Sequence, residues 1–273
     1  MQFASAYCSI EVLVVLSFCS FTILLQWGLA MNAIHTLVIS DVHLESADCR
    51  AELLLSLLQS CPFEVLIIAG DLYENGGVIG DEQFKLVGRL RELRKKLIYV
   101  SGNHDFSENR FVNRFIGVRP VKRYEWNMGQ KRFYVVHGHQ FDRFCFIFSE
   151  PVIEKLILRF FQLTQWMDPQ KLHISGWIEQ FRVKLSGHFA KRARKFAKKH
   201  GVSSIICGHT HRPDHIAFLS EKDGHIEYLN CGSWTEKECS LVTIDESGQA
   251  KLCCVSAEKG HLSVVPMQTL RLA

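Results

Sequence analysis

Five short apolar runs in this chain each lead into a cluster of polar residues able to hold a metal. Thr36–Ser40 (TLVIS) runs into Asp41-Val42-His43, Val65–Ala69 (VLIIA) into Gly70-Asp71, and Leu97–Val100 (LIYV) into GNHD at 102–105. Phe133–Val136 (FYVV) meets HGH at 137–139, and SSIIC at 203–207 meets GHTH at 208–211. Apolar runs this short and this rich in Val and Ile read as buried strands. Helical patterns separate the first three, over Ala51–Ser60 and Asp81–Lys96, the second with Arg94, Lys95 and Lys96 as its basic last turn. Alternating strands and helices predict a layered α/β fold, whose ligands gather at the carboxyl ends of the strands. A lone histidine after a strand is usually a satisfied surface or core residue. Five such groups at five successive strand ends are not independent accidents. They bring Asp41, His43, Asp71, Asn103, His104, His137, His209 and His211 to one edge. Carboxylate, imidazole and amide oxygen together suit Mn, Fe or Zn, and glycines beside the ligands (Gly70, Gly102, Gly138, Gly208) let the backbone turn sharply there.

After residue 201 the pattern becomes strands and turns: HIAFL, HIEYLN, SLVTI and AKLCCV, separated by Lys222-Asp223-Gly224 and Glu246-Ser247-Gly248. The chain has 273 residues, 47% of them hydrophobic and 22% charged, which allows a full core and excludes a disordered polymer. That length fits one large domain, or one domain with an insertion. No repeat of 20–50 residues appears, so solenoids and propellers are excluded. A net charge of +4 is too mild to argue for nucleic acid, and no nucleic-acid partner is expected. The 10 cysteines form no C-x-x-C pair and sit in apolar runs, as buried reduced thiols do.

Two segments stand apart from this α/β body. Residues 1–30 form an apolar leader to the domain of residues 31–273, and Val12–Ala30 carries no charge, close to the ~20 residues that span a bilayer. No Lys or Arg precedes Arg50, which a secretory signal would want. Three readings stand: translation from Met31, a membrane anchor with the long C-terminal part on the cytoplasmic side, or a cleaved signal. The second segment is a helical insertion over 142–200. Phe144–Leu163 is too apolar for a solvated loop and reads either as a helix packed on the main domain or as a groove for acyl chains. Arg182–His200 carries eight Lys and Arg and no acid. It reads either as a solvated helix face or as a lid for an anionic amphiphile or membrane surface, with Arg192, Arg194 and Lys195 as candidate substrate contacts.

The ordered set D-x-H, G-D, G-N-H-D, H and G-H-T-H over residues 41–211 resembles the calcineurin-like metallophosphoesterase superfamily. The resemblance implies a four-layer α/β/β/α sandwich with two divalent metal ions, Mn²⁺ foremost and Fe or Zn as alternatives. Carried over, Asp41, His43, Asp71 and His211 hold the first ion, and Asp71, Asn103, His137 and His209 the second, with Asp71 bridging. Such a pair lowers the pKa of a shared water and neutralises phosphate oxygens. His104 is then the candidate to contact the phosphate and protonate the leaving oxygen. Asp105 either orients His104 or makes a loop hydrogen bond.

Outside the metal motifs, HGHQFD at 137–142, CGHTHRP at 207–213 and YLNCGSW at 228–234 resemble the UDP-2,3-diacylglucosamine hydrolase group of lipid A synthesis. His139 and Ser233 stand where that group usually has Asp, and His104 where some members carry Arg. The implied reaction splits the pyrophosphate of UDP-2,3-diacylglucosamine into UMP and 2,3-diacylglucosamine 1-phosphate. The implied setting is peripheral, on the cytoplasmic face of the membrane, with an anionic nucleotide-lipid substrate. Hydrolysis of another nucleotide, phosphoprotein or nucleic-acid phosphoester is the alternative, and a non-catalytic scaffold like the retromer-type relatives of this fold is a third reading.

Overall fold

The computed structural model describes residues 14–18, 21–27, 34–73, 78–107, 112–142, 174–220, 224–258, 261–267 and 270–272. Two β-sheets pack face to face. The first has eight strands in the order β1-β2-β13-β12-β11-β3-β4-β5. Its members are β1 (Val14–Phe18), β2 (Phe21–Trp27), β3 (Ile34–Ile39), β4 (Val65–Ala69), β5 (Leu97–Val100), β11 (Cys239–Asp245), β12 (Ala250–Glu258) and β13 (His261–Pro266). The second has six, in the order β14-β9-β10-β8-β7-β6. They are β6 (Tyr124–Met128), β7 (Lys131–Val135), β8 (Ser204–Cys207), β9 (Asp214–Ser220), β10 (Gly224–Asn230) and β14 (Leu270–Leu272). Strands β3, β4 and β5 are parallel, with Val38 opposite Ile67 and Ile67 opposite Ile98. So are β7, β8 and β10, with Val135 opposite Ile206 and Ile206 opposite Leu229.

Three apolar layers hold the sandwich together. Between the sheets lie Val38, Ile67, Val100, Phe133, Val135, Ile206, Leu229 and Val242. On the outer face of the eight-stranded sheet pack α1 (Ala51–Ser60) and α2 (Asp81–Glu92). Helix α1 buries Leu54, Leu57 and Leu58, one face at i, i+3 and i+4 spacing. Each such side chain contributes about 1.5–3 kcal/mol when fully buried. Helix α2 begins with Asp81 and Glu82, which suit its positive end, and buries Leu86, Val87 and Leu90. It stops at Glu92, four residues short of the periodic pattern. Arg89 and Arg91 therefore form its basic last turn, while Arg94, Lys95 and Lys96 lie beyond it.

On the outer face of the six-stranded sheet lies α3 (Ile174–His200), burying Phe189, Ala190, Ala193 and Ala197 against Tyr134, Val136, Ile205, Phe218 and Tyr228. Small alanines let this helix sit close to the strands. With α3 as the fourth layer, the architecture is an α/β/β/α sandwich. The apolar stretch Phe144–Leu163 of the expected insertion falls outside the described residues. Residues 14–18 and 21–27 of the leader are an antiparallel pair of strands, and β2 adds parallel to β13. Among the described residues, no helix is long and apolar enough to cross a membrane. Seven described cysteines are free thiols, five of them buried.

Candidate metal centre

The loops after β3, β4 and β5 lie beside those after β7 and β8, so the centre is built across both sheets. Among the described residues, five that are not glycine have positive φ: Asp41, His43, Asp71, His209 and His211. Every one is an expected metal ligand. Left-handed backbone is costly for residues with a Cβ, and it persists where the surroundings impose it, as functional sites do. Here the imposing contacts are backbone hydrogen bonds between loops. Asp41 N–H donates to Gly70 O, and Val42 and His43 N–H both donate to Asp71 O. The glycines allow these approaches. A Cβ at Gly208 would overlap Ser40 Oγ and Asp41 Oδ2, and one at Gly102 would overlap the Asp71 carboxylate.

Two clusters of donor atoms result. Asp41, His43 and His211 each offer an atom within 4.8 Å of the others, and so do Asp41, Asp71 and His137. In the first, His43 Nε2 and His211 Nε2 lie 3.2 Å apart. Both approach Asp41 Oδ1, at 3.8 and 3.2 Å. Two imidazole nitrogens converging on one buried carboxylate oxygen are a donor set suited to a cation. In the second, His137 Nε2 lies 3.0 Å from Asp71 Oδ2 and 2.9 Å from Asn103 Oδ1. His209 Nδ1 reaches the same Asn103 oxygen at 3.1 Å. Nδ1 of His137 lies 2.8 Å from the carbonyl of Ala69 and donates to it, so Nε2 is the nitrogen that faces the cluster and can bind a cation once it has lost its proton. His209 is held likewise, with Nε2 at 3.4 Å from Asp142 Oδ2.

Electrostatics point the same way. Burial disfavours a charged His137, but the Asp71 and Asp41 carboxylates outweigh it and raise its pKa to about 9. Burial likewise opposes ionisation of Asp41, and His137, His211 and His43 overcome it, holding this carboxyl well below the usual range. Asp71 is lowered for the same reason, burial again being outweighed, chiefly by His137. The pocket is therefore strongly anionic until cations, or protons on imidazole, balance it.

The structure brings together all seven expected ligands, Asp41, His43, Asp71, Asn103, His137, His209 and His211. His104 stands at the open mouth with its side chain 48% exposed, Nε2 4.0 Å from Asp71 Oδ2 and its ring edge-on to His43. Of its two readings, Asp105 takes the loop hydrogen bond. It is buried, and its Oδ2 accepts from the backbone N–H of Asp71 (2.9 Å) and of Gly102 (2.6 Å). It clamps two ligand loops together and is a positioning residue, not a group that meets substrate.

The three basic residues of the trio meet different surroundings. Arg192 donates to the carbonyl of Phe141 at 2.7 Å, Arg194 lies over the ring of Phe218 at 4.9 Å, and Lys195 is exposed. Arg192 and Lys195, at i and i+3, are neighbours on one side of the helix, while Arg194, at i+2, faces another way. Sequence reasoning also missed supporting residues. Ser40 Oγ donates to Asp41 Oδ2 (2.5 Å) and Asp142 backs His209. Phe189 of α3 stacks beside the His209 ring, centroids 6.2 Å apart. HGHQFD contains Asp142 in plain view, but only the turn at His139–Phe141 aims it at His209.

A two-sheet α/β sandwich with carboxylates and imidazoles converging at one edge defines a metallohydrolase. The family model for calcineurin-like phosphoesterase matches residues 34–213, and the chain belongs to that family. It is a metal-dependent phosphoester hydrolase. Similar solved structures include a Vps29 mutant from Entamoeba histolytica, at 15% identity and TM-score 0.47 over 85% of this chain and 97% of that one. They also include the phosphoesterase YfcE from E. coli, at 15% identity and TM-score 0.46 over 86% and 98%, and the nuclease MPE from Pseudomonas putida, at 19% and 0.36 over 85% and 87%. No curated protein matches the chain.

Proposed function

We propose that this protein is a two-metal hydrolase of a phosphoric anhydride, with UDP-2,3-diacylglucosamine as substrate and UMP and 2,3-diacylglucosamine 1-phosphate as products. The observation that supports the two-metal reading is the pair of donor clusters, Asp41–His43–His211 and Asp41–Asp71–His137, which meet at the buried carboxylate of Asp41. Asp41, His43, Asp71 and His211 would hold one ion, and Asp71, Asn103, His137 and His209 the other. Divalent ions held there would supply an acidified water and neutralise phosphate oxygens, with Mn²⁺ foremost and Fe or Zn as alternatives for this mixed O/N set. Hydrolysis adds the OH of water to phosphorus and breaks one anhydride P–O bond, the water's other proton going to solvent or to the leaving oxygen, which calls for a positive or proton-donating neighbour. His104 would be that neighbour, a role supported by its exposed side chain and the 4.0 Å between its Nε2 and Asp71 Oδ2. Asp105 and Ser40 keep the ligand loops in place.

Support for the nucleotide-lipid substrate lies in the sequence segments 137–142 and 228–234. A peripheral position on the cytoplasmic face of a membrane, with or without the leader as anchor, belongs to the same proposal. The test is product analysis with Mn²⁺, using UDP-2,3-diacylglucosamine in mixed micelles beside a chromogenic phosphodiester. Release of UMP with the acyl-sugar phosphate is expected. Cleavage of the small ester alone overturns the lipid substrate and leaves the hydrolase. Cleavage of neither by protein loaded with two metals overturns both.

A further inference from the structure

The donor atoms of the centre come from two different sheets, so something must fix the sheets relative to each other at that edge. We infer that the crossover from β10 to β11, Asn230–Trp234, is this device, with Asn230 and Ser233 as positioning residues for the metal-binding loops. The inference rests on the two-metal reading above, and the segment lies beyond the residues that match the family.

Asn230 ends β10 and is wholly buried. Its Nδ2 donates to the carbonyl of Gly208 at 2.7 Å. The N–H of that same peptide unit, on His209, donates to Asp41 Oδ2 at 2.9 Å. The Gly208–His209 peptide plane is thus pinned from both sides, by an amide of the second sheet and a carboxylate of the first. That fixes the orientation from which His209 projects. Asn230 is itself locked, because its Oδ1 accepts from Gly232 N–H at 3.0 Å.

Three residues on, the crossover reaches the other sheet. Ser233 Oγ donates to the carbonyl of Asp41 at 3.1 Å, and Trp234 N–H to the same oxygen at 2.9 Å. The next N–H, on Val42, donates to Asp71 O. The peptide plane after Asp41 is therefore also pinned at both ends. Ser240 Oγ closes the crossover by donating to Cys231 O at 2.6 Å. Five residues hold one ligand loop of each sheet, Asp41 on one side and His209 on the other. Outer partners of metal ligands act in this way, and losing one costs about 10–100-fold in metal affinity.

The test is equilibrium dialysis of full-length protein against Mn²⁺ with elemental analysis, at a temperature where each apoprotein is folded by circular dichroism. Asn230→Ala should weaken Mn²⁺ binding about tenfold or more. Ser233→Ala, which leaves the Trp234 N–H on Asp41 O, should weaken it less. A purely structural role would lower the apoprotein melting temperature and leave the isotherm of the folded protein unchanged, and that result overturns the inference. If Asn230→Ala does not fold, Ser233→Ala decides: a wild-type isotherm overturns the inference, a weaker one upholds it. If the wild-type protein itself binds no Mn²⁺, the two-metal reading falls first and the inference with it.

Discussion

The eight-stranded sheet brings three oxygen donors and one imidazole to the centre: Asp41, Asp71, Asn103 and His43, from the ends of β3, β4 and β5. The six-stranded sheet brings three imidazoles, His137, His209 and His211, from the ends of β7 and β8. Negative charge thus comes from one sheet and neutral nitrogen from the other. Neither sheet alone makes either donor cluster. In the metal-free protein the imbalance is met by protons, which is why His137 beside Asp71 and Asp41 is raised to about 9 although burial acts against it. Sandwich packing and cation binding are therefore one problem, and substitutions can separate the contributions of the two sides.

The largest effect is expected at Asp71, where the charge of the first sheet meets the second. Its Oδ2 faces His137, and its Oδ1 accepts from His104 N–H at 3.1 Å. Asp71→Asn keeps the shape and removes the charge. Metal affinity should fall by more than the roughly 10–100-fold that loss of an outer partner costs, and turnover should fall with it. Elemental analysis of dialysed protein beside kinetics checks this. A variant holding wild-type metal and turnover would break the division of labour between the sheets.

His104 sharpens the comparison because it belongs to a ligand loop of the first sheet without joining either donor cluster. His104→Ala should lower kcat by about 10²–10⁴-fold, as loss of an acid–base contact does, with metal content unchanged. Loss of metal in that variant would move His104 among the ligands.

The ligand set was legible in the sequence because each group of ligands follows its own strand. A run such as VLIIA is a strand whatever surrounds it, and its end must lie at a sheet edge. What the runs could not tell is how the edges are held together. Asp105 is visible in GNHD, but its role depends on two backbone N–H groups, those of Asp71 and Gly102. Asn230 and Ser233 are visible in YLNCGSW, yet the pinned peptides belong to Gly208 and Asp41, some twenty and two hundred residues away. Charge runs are less informative still, because Arg192, Arg194 and Lys195 look alike until each finds a carbonyl, a ring or water. The strand β6 escaped notice because YEWNM has no apolar run, its aromatics Tyr124 and Trp126 stacking in line with Phe133. In the leader, an uncharged apolar stretch fits a spanning helix and a pair of strands equally well by composition.

Arg192 ties the fourth layer to the second sheet's side of the centre, through the turn that carries Asp142. Arg192→Ala should cost about 1 kcal/mol in urea unfolding, the loss of one hydrogen bond from a half-buried charged group. It should also weaken metal binding slightly through Asp142 and His209. Lys195→Ala, on the exposed face, should change stability by less than about 0.5 kcal/mol. Equal effects from the two would mean that the Phe141 carbonyl contact contributes nothing.

The smallest effect concerns a second buried imidazole of the six-stranded sheet. His215 in β9 is buried, as His137 is, but its pKa is lowered. Burial is the main cause; Glu227 and Asp214 oppose it, while Lys131 and His225 add to the lowering. In His137 the carboxylates of Asp71 and Asp41 reverse the effect of burial, and in His215 Glu227 and Asp214 do not. The sign follows from linkage. A histidine whose folded pKa lies below its unfolded value of about 6.5 takes up its proton more readily when unfolded, so stability is lost as pH falls through and below 6.5. Asparagine cannot take that proton. Urea unfolding of metal-free wild type and His215→Asn between pH 7.5 and 5 should therefore show a shallower acid decline in the variant, whatever its stability at pH 7.5. Parallel declines would mean that His215 titrates normally. Burial would then be too weak to explain why His137 and His215 differ.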